Sequence, residues 1–311
     1  METSVTIAIA TYNRAELLER QLAWLDRALT GVEPRCEVLI SDNCSTDRTA
    51  EVVAGWTARI ENRVRVRSVR NSRNVGAIRN IAGCILAART SHVWTVGDDD
   101  LIEDGTLRFV LEELDRRPDL ALLTLNFSSR FVETGELRFE RCYEVDDDSV
   151  QADGSQLFER CLADDPGGVA LTTAQVYRAE LAQAAIREWQ RGLHNLVTQI
   201  YWTGFCAAHG PAKVTAETKL ECAAGTHFFV GNPRLSYKLD LGDTAELYAR
   251  LAMIGYSPKL CLRLARRQLG GQKRRLLAGA LRWPATGIPA LGRVAMSFSS
   301  LYARSLASGA A

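Results

Sequence analysis

The chain lacks the cysteine pattern of a disulfide-bonded or zinc-binding protein. Its eight cysteines form no CxxC pair and no zinc-ligand spacing, which reads as reduced thiols in a cytoplasmic protein. A signal-peptide pattern is also missing. The first residues lead straight into Val5-Thr6-Ile7-Ala8-Ile9-Ala10, which is a short apolar, β-branched strand pattern and has no basic-then-apolar plan. No uncharged run reaches the roughly 18 residues of a membrane-spanning helix, and no repeat or low-complexity block interrupts the chain. Acid is absent from the C-terminal part: no Asp or Glu follows Glu246, whereas eleven Lys and Arg do. Because the whole chain has a formal net charge of +1, an acidic body is joined to a basic tail.

The remainder describes an ordinary globular protein, with 47% hydrophobic and 24% charged residues over 311 positions. That length suits one large domain with an appendage. Short β-branched runs at 5–10, 36–40, 64–69, 92–96 and 120–126 alternate with helical patterns at 15–29, 48–60, 76–88 and 105–116. This rhythm predicts an α/β fold, a mostly parallel sheet flanked by helices. Residues 127–230 are less regular, with loops expected at Glu144–Asp148 and Asp164-Asp165-Pro166-Gly167-Gly168. Residues 256–311 read as basic and helical, punctuated by Trp283-Pro284 and Gly287-Ile288-Pro289.

The segment Val93-Trp94-Thr95-Val96-Gly97-Asp98-Asp99-Asp100 delivers three adjacent carboxylates to the end of a buried strand. Three neighbouring anions call for a compensating cation, and oxygen-only ligands suit Mg²⁺ or Mn²⁺. A solvated acidic turn is the alternative. In open α/β sheets the ligand site lies beyond the carboxyl ends of the strands. Three polar clusters fall there: Thr11–Arg14, Asp42–Asp47 and Asp98–Asp100.

Thr11-Tyr12-Asn13-Arg14 and Ser41-Asp42-Asn43-Cys44-Ser45-Thr46-Asp47 resemble the "PTYNR" and "DDGSTD" stretches of family 2 glycosyltransferases, which have the GT-A fold. Asn74-Val75-Gly76-Ala77-Ile78-Arg79-Asn80 is similar to the family's "N-x-G-x-x-x-ARN", and Gly97–Asp100 to its metal-binding DxD region. The four motifs occur in the right order over residues 3–125. Within the family the wording is similar to the O-antigen branch that includes abequosyltransferase-like members. The resemblance implies transfer of a sugar from a nucleotide diphosphate sugar to an acceptor hydroxyl, with inversion as the family habit and Mn²⁺ or Mg²⁺ as cofactor.

It also implies that Thr11, Asn13, Arg14, Asp42, Arg79 and Asp98 serve the nucleotide sugar and that Asp98, Asp99 and Asp100 serve the metal. Asn13 and Arg14 suit a helix cap as well as a ligand, and Asp47 suits the N-cap of the helix that follows. Arg79 offers a fixed charge and a planar fork for a diphosphate or a base edge, a surface helix arginine being the alternative. The chain departs from the family at Asn43-Cys44, where a second acid and a glycine are usual. Aligned by its last two acids, the family's D-x-D-D puts its first Asp on Gly97; aligned by its first, it makes Asp98 and Asp100 the pair.

The family's catalytic base is an Asp in an "ED" motif some ninety residues past the DxD. Here that neighbourhood reads Gly192-Leu193-His194-Asn195-Leu196-Val197, without an acid. His194 is the candidate base, an imidazole being competent near neutral pH, and Asp164 and Asp165 are its rivals. Trp189, Tyr201, Trp202 and Phe205 suit either sugar stacking or the core.

The expected organisation is a catalytic domain over 1–245, with a nucleotide-sugar-binding half at 1–125 and an acceptor-binding half at 126–245. A basic helical region over 246–311 follows. The tail, with arginines around Leu260, Leu262, Leu264, Leu276, Leu277 and Leu281, suits an anionic membrane surface. That would serve a glycan or polyprenyl-linked acceptor, placing the protein in the cytoplasm or peripherally on the inner face of the cytoplasmic membrane. Packing on the body or formation of a homo-oligomer is the alternative. No nucleic-acid partner is expected. Two rivals of other kinds are a nucleotidyltransferase, disfavoured by the absence of glycine from Ala10-Thr11-Tyr12-Asn13, and a non-catalytic nucleotide-sugar or membrane-binding module.

Overall fold

A computed structural model of the chain describes residues 4–145, 150–226, 231–270 and 272–308. Asp146, Asp147 and Asp148 of the expected acidic loop lie outside the described residues. The first half follows the alternation read from the sequence: β1 (Val5–Thr11), α1 (Ala15–Ala28), β2 (Cys36–Asp42), α2 (Thr49–Ile60), β3 (Arg65–Arg70), α3 (Ala77–Ala87), β4 (His92–Val96), β5 (Leu101–Ile102), α4 (Thr106–Arg116) and β6 (Leu122–Phe131). The second half adds β7 (Leu137–Phe139), α5 (Gly154–Asp164), β8 (Gln175–Arg178), α6 (Ala179–Glu188), α7 (Thr198–Ala208) and β9 (Ala212–Ala224).

One sheet runs in the order β3-β2-β1-β4-β8-β6-β9-β5, with β7 paired to β6. The first four strands are parallel. Every residue of β2 and β4, and all of β1 except the partly exposed Ala10, is buried. Helices therefore cover both faces, which is why these strands read as continuous apolar runs and not as alternating ones. At the edge, β3 (Arg-Val-Arg-Ser-Val-Arg) is polar and largely exposed, as an unpaired edge requires. The register sets Thr11 opposite Asp42 and Asp42 opposite Arg70, and Ile9 opposite Val96. The carboxyl ends of β1, β2 and β4 thus share one rim.

Two strands that the sequence pattern did not announce shape the other half. The short β8 inserts antiparallel between β4 and β6. The 13-residue β9 pairs parallel with β6 and, antiparallel, with β5 directly after the aspartates. The β9–β5 pair folds the far side of the sheet back toward the acidic triplet. Trp24 of α1 meets Trp94 of β4 edge to face, with ring centroids 5.9 Å apart, so a large aromatic pair backs the strand that carries the acids.

The C-terminal part comprises α8 (Pro233–Tyr237), a π-type turn (Lys238–Asp243), α9 (Thr244–Met253), α10 (Pro258–Leu269), α11 (Lys273–Arg282) and α12 (Pro284–Ala307). The expected division at 245/246 falls inside α9, whose Leu247 and Leu251 join the main core together with Leu264 and Leu301. Leu260, Leu262 and Leu264, which the sequence offered to lipid, are buried, because α10 turns its leucines inward against α9 and α12. A smaller cluster of Tyr237, Leu241 and Ala290 ties α11 and α12 to the π-type turn. Gly279 permits this approach: a Cβ there would fall 2.1 Å from the Tyr237 ring. Among the described residues no helix is long and apolar enough to cross a membrane.

Candidate active site

The loops after β1 and β2 are stitched together by their own polar side chains. The Asn13 N–H donates to Ser45 Oγ (2.9 Å), and Asn13 Oδ1 accepts from the Thr46 N–H (2.7 Å). Asp42 Oδ1 accepts from the Ser45 N–H at 2.9 Å. Asp47 bridges two helix starts, accepting from the Ala15 N–H (3.1 Å) and the Thr49 N–H (3.0 Å); it stands one residue before the N-cap position of α2, which Arg48 holds, and ties the first residues of α1 and α2 together. Asn13 and Cys44 hold left-handed backbone, with φ of 52° and 67°. Asn tolerates that region; for Cys it is strained. Buried Asp42 keeps one oxygen, Oδ2, without a hydrogen bond, although Arg70 Nε lies 3.3 Å away as an ion pair. It is a buried acceptor at the end of β2 with hydrogen-bonding capacity to spare.

Asn43, where the family's second acid would stand, is buried and structural here. Its Oδ1 accepts from the Val75 N–H (2.9 Å) and Asn71 Nδ2 (3.1 Å), while its Nδ2 donates to Asn74 Oδ1 (2.9 Å). It therefore fastens the loop that starts α3, and with it Arg79, to the end of β2. An acid in its place would keep the acceptor and lose the donor.

The carboxylates gather around Arg14. Its Nη1 donates to Asp98 Oδ1 (2.8 Å) and Asp99 Oδ2 (2.9 Å), and its Nη2 to the Thr226 carbonyl (2.9 Å). Thr11 Oγ1 donates to Asp98 Oδ2 at 2.7 Å. Asp100 accepts from Thr173 Oγ1 and from the Ala223 N–H, and Thr173 Oγ1 also accepts from the Gly97 N–H at 2.9 Å. A Cβ at Gly97 would lie 2.7 Å from Asp100 Oδ2 and 2.9 Å from Thr173 Oγ1, so no acid fits there.

Burial and the negative charge of Asp99 push Asp100 up to about 7. Burial also raises Asp98, against the pull of Arg14. Burial lowers the affinity of Arg14 for its proton, but the two aspartates outweigh it and the net shift is upward. A buried carboxyl without its own cation, beside two that share one arginine, is a site short of positive charge.

The donor set is all oxygen and suits a hard divalent ion. Among the described residues no three His, Cys, Asp or Glu side chains converge on one point. The residues therefore fit an ion held by one or two carboxylates and completed by phosphate oxygens and water, which is how Mg²⁺ is usually bound.

On the neighbouring side of the rim, Arg79 of α3 meets His194, with Arg79 Nη2 2.7 Å from His194 Nε2. The segment carrying His194 is held from behind. Lys238 Nζ donates to the His194 carbonyl (2.5 Å), the Leu196 N–H to Asp243 Oδ2 (2.9 Å) and Asn195 Nδ2 to the Asp243 carbonyl (2.8 Å). Buried Asp243 also pairs with Lys238 and with Arg293 of α12. Asp164 ends α5, and Asp165 Oδ1 accepts from the Gly167 N–H at 2.7 Å in a tight turn. Among the described residues no bond joins either acid to the other site residues. Trp189, Tyr201, Trp202 and Phe205 are core residues, each at most 5% exposed.

Thr173, Asn43, Thr226 and Asp243 were invisible as site residues in the sequence. Only Asn43 carried a signal, its place beside Asp42. Tyr12 was quoted with its motif but given no role, yet it is 40% exposed at the rim, directly after the buried Thr11. A cavity of about 580 Å³ between α5 and α10, lined by Arg160, Lys259 and Arg263, lies among other residues.

Comparison with known proteins agrees with this geometry. Residues 6–171 match the family model of Glycosyl transferase family 2, and the chain belongs to that family. It is 32% identical over 118 residues to the abequosyltransferase RfbV of Salmonella typhimurium, covering 38% of this chain and 34% of that protein. It is 34% identical over 111 residues to the succinoglycan biosynthesis protein ExoO of Rhizobium meliloti, covering 36% and 30%. The match thus spans about a third of those relatives. Among solved structures, S. aureus TarS 1–349 in complex with UDP-GlcNAc superposes with a TM-score of 0.62 at 15% identity over 95% of this chain and 82% of that one. The mannosyltransferase PcManGT of Pyrobaculum calidifontis, in complex with GDP-Man and Mn²⁺, gives 0.58 at 15% over 98% and 88%. The fold is GT-A.

Proposed function

We propose that the chain is a metal-dependent, inverting glycosyltransferase that moves a sugar from a nucleoside diphosphate to an acceptor hydroxyl in cell-surface polysaccharide assembly of the O-antigen type. The observation that carries the reading is the meeting of Thr11, Arg14 and Asp98–Asp100 at the ends of β1 and β4; the structural neighbours TarS and PcManGT, in complex with UDP-GlcNAc and with GDP-Man and Mn²⁺, support it. RfbV, by name an abequosyltransferase, and ExoO, a succinoglycan protein, support the polysaccharide part.

In this reading residues 1–125 bind the donor. The spare oxygen of Asp42 accepts from the base or ribose, with Asn13 shaping the loop, and Tyr12 offers a face to the base. Arg79 reaches the diphosphate. A divalent cation held by Asp99 or Asp100, with Asp98 toward the ribose, would neutralise charge collecting on the departing diphosphate. Residues 126–245 present the acceptor. Its hydroxyl oxygen bonds to the anomeric carbon from the face opposite the diphosphate. The carbon–oxygen bond to the diphosphate breaks with its electron pair, and the hydroxyl proton passes to His194. Asp165 is already committed to its turn, which favours His194. The basic C-terminal helices would hold the enzyme at a membrane presenting a polyprenyl-linked acceptor.

The test is thermal stabilisation by a panel of nucleoside diphosphate sugars with and without Mn²⁺, followed by turnover with lipid-linked acceptors. A Mn²⁺-dependent shift with one donor, and its consumption, is expected. No shift with any donor refutes the reading, and a shift without turnover leaves a binding module.

A further inference from the structure

We infer that α12, with the outer leucines of α11, forms an interfacial face that lies flat in the headgroup region of an anionic membrane. This deepens the membrane contact in the proposed function and rests on it, but moves it from the leucines of α10, which are buried, to a surface that only the packing reveals.

The 24-residue α12 turns Ser297 and Leu301 inward. On its opposite side, at helical spacing, stand Ala285, Ile288, Gly292, Met296, Tyr302 and Leu306, all exposed. Ile288, Met296, Tyr302 and Leu306 are 63%, 67%, 52% and 65% exposed. No charged residue interrupts this line, which runs the length of a helix about 36 Å long. The neighbouring α11 does the same: Leu277 and Leu281, one turn apart, are 64% and 85% exposed. A soluble surface helix places such residues inward; here they face away from the protein that supports them, so something else covers them.

The charge around the face decides what. Arg274 and Arg282 of α11 and Arg304 of α12 are exposed on the same two helices, and Arg266 of α10 lies over the Tyr302 ring, 5.8 Å from its centroid. No Asp or Glu occurs after Glu246. A second copy docking on the same face would bring two basic rims together with no acid between them, and that repels. Anionic headgroups attract the rim while the apolar line enters the acyl boundary, the pattern of an interfacial helix.

The experiment is flotation of the full chain with vesicles of phosphatidylcholine alone or with roughly a third phosphatidylglycerol at low salt. The wild-type protein should float with the anionic vesicles only, and release at about 1 M salt as the Debye length falls to about 3 Å. Ile288→Ser/Met296→Ser/Leu306→Ser should lower the partition by roughly a hundredfold or more, with an unchanged unfolding temperature because the side chains are exposed. Arg282→Glu/Arg304→Glu, which spares the apolar line, should weaken flotation too. Failure of the wild type to float, or equal flotation of the triple variant, overturns the inference. A dimer that the triple variant dissociates, without flotation, assigns the face to a second copy and overturns it as well. Donor-induced thermal stabilisation of the same variants reads the rim of the sheet separately. Its loss in wild type with flotation intact would fault the catalytic reading and leave this one standing.

Discussion

Arg79 Nη2 lies 2.7 Å from His194 Nε2, joining two residues 115 positions apart. A guanidinium only donates, so the imidazole nitrogen that faces it carries the lone pair. The residue offered to the diphosphate thus holds the nitrogen offered to the acceptor proton. Binding of a diphosphate would draw Arg79 away and free that nitrogen. His194→Ala should lower kcat by about a hundredfold or more, the usual worth of a general base, with donor affinity within a factor of two or so. Arg79→Lys should instead raise the donor Kd. Unchanged turnover in His194→Ala would turn attention to Asp164 and Asp165.

Asp99→Asn and Asp100→Asn should each remove Mn²⁺-dependent donor stabilisation and turnover, since each takes a charge from a hard-ion donor set. Thr173→Val, which removes the hydroxyl between Asp100 and the Gly97 N–H, should show a milder loss of the same kind. Isothermal titration with Mn²⁺ and donor measures both. Full activity of the two Asn variants in EDTA would end the metal reading.

Cys44→Gly should stabilise the protein. The left-handed φ of 67° at Cys44 costs an L-residue about 1–2 kcal/mol, partly offset by glycine's greater unfolded-state freedom of about 0.5–1 kcal/mol. A net gain of up to about 1.5 kcal/mol, a rise of up to about 3 °C in Tm, should be read by calorimetry. A fall in Tm would mean that the contact of Cys44 Sγ with the Ser72 carbonyl, 3.7 Å away, outweighs the strain.

Buried His92 should make the fold acid-sensitive. Burial pulls its pKa down from 6.5 to about 4, and its Nε2 meets the Leu120 carbonyl at 3.2 Å. The unfolded chain takes up a proton below pH 6.5 that the folded chain refuses until about pH 4. Stability is therefore full above 6.5 and is lost as pH falls toward 4, by at most about 3 kcal/mol. His92→Gln should flatten urea-unfolding stability over that interval relative to wild type; parallel curves would contradict the assignment.

Much of the plan of residues 1–125 was legible because its signals are local. The apolar runs of β1, β2 and β4 are buried on both faces, and a run of that kind declares itself without knowledge of its partners. Asp98–Asp100 are contiguous, so their place at a strand end needed only the strand. Asp47 announced a helix start, though not that it would bond a second helix at Ala15. Residues 126–245 resisted for the opposite reason. β8 has four residues and takes its identity from pairing between β4 and β6, and Thr173 sits in a segment without periodicity.

The amino-acid order alone determined the alternating α/β plan, the acidic strand end and the division between an acidic body and a basic tail, because propensity, hydrophobic period and charge are properties of neighbours in the chain. Tertiary structure alone decided which cation meets which carboxylate, that Arg79 faces His194, that Gly97 leaves no room for a fourth acid, and which side of α12 looks outward. Those depend on distances across the fold, and an amphipathic or apolar segment does not carry within itself the position of the surface it will pack against.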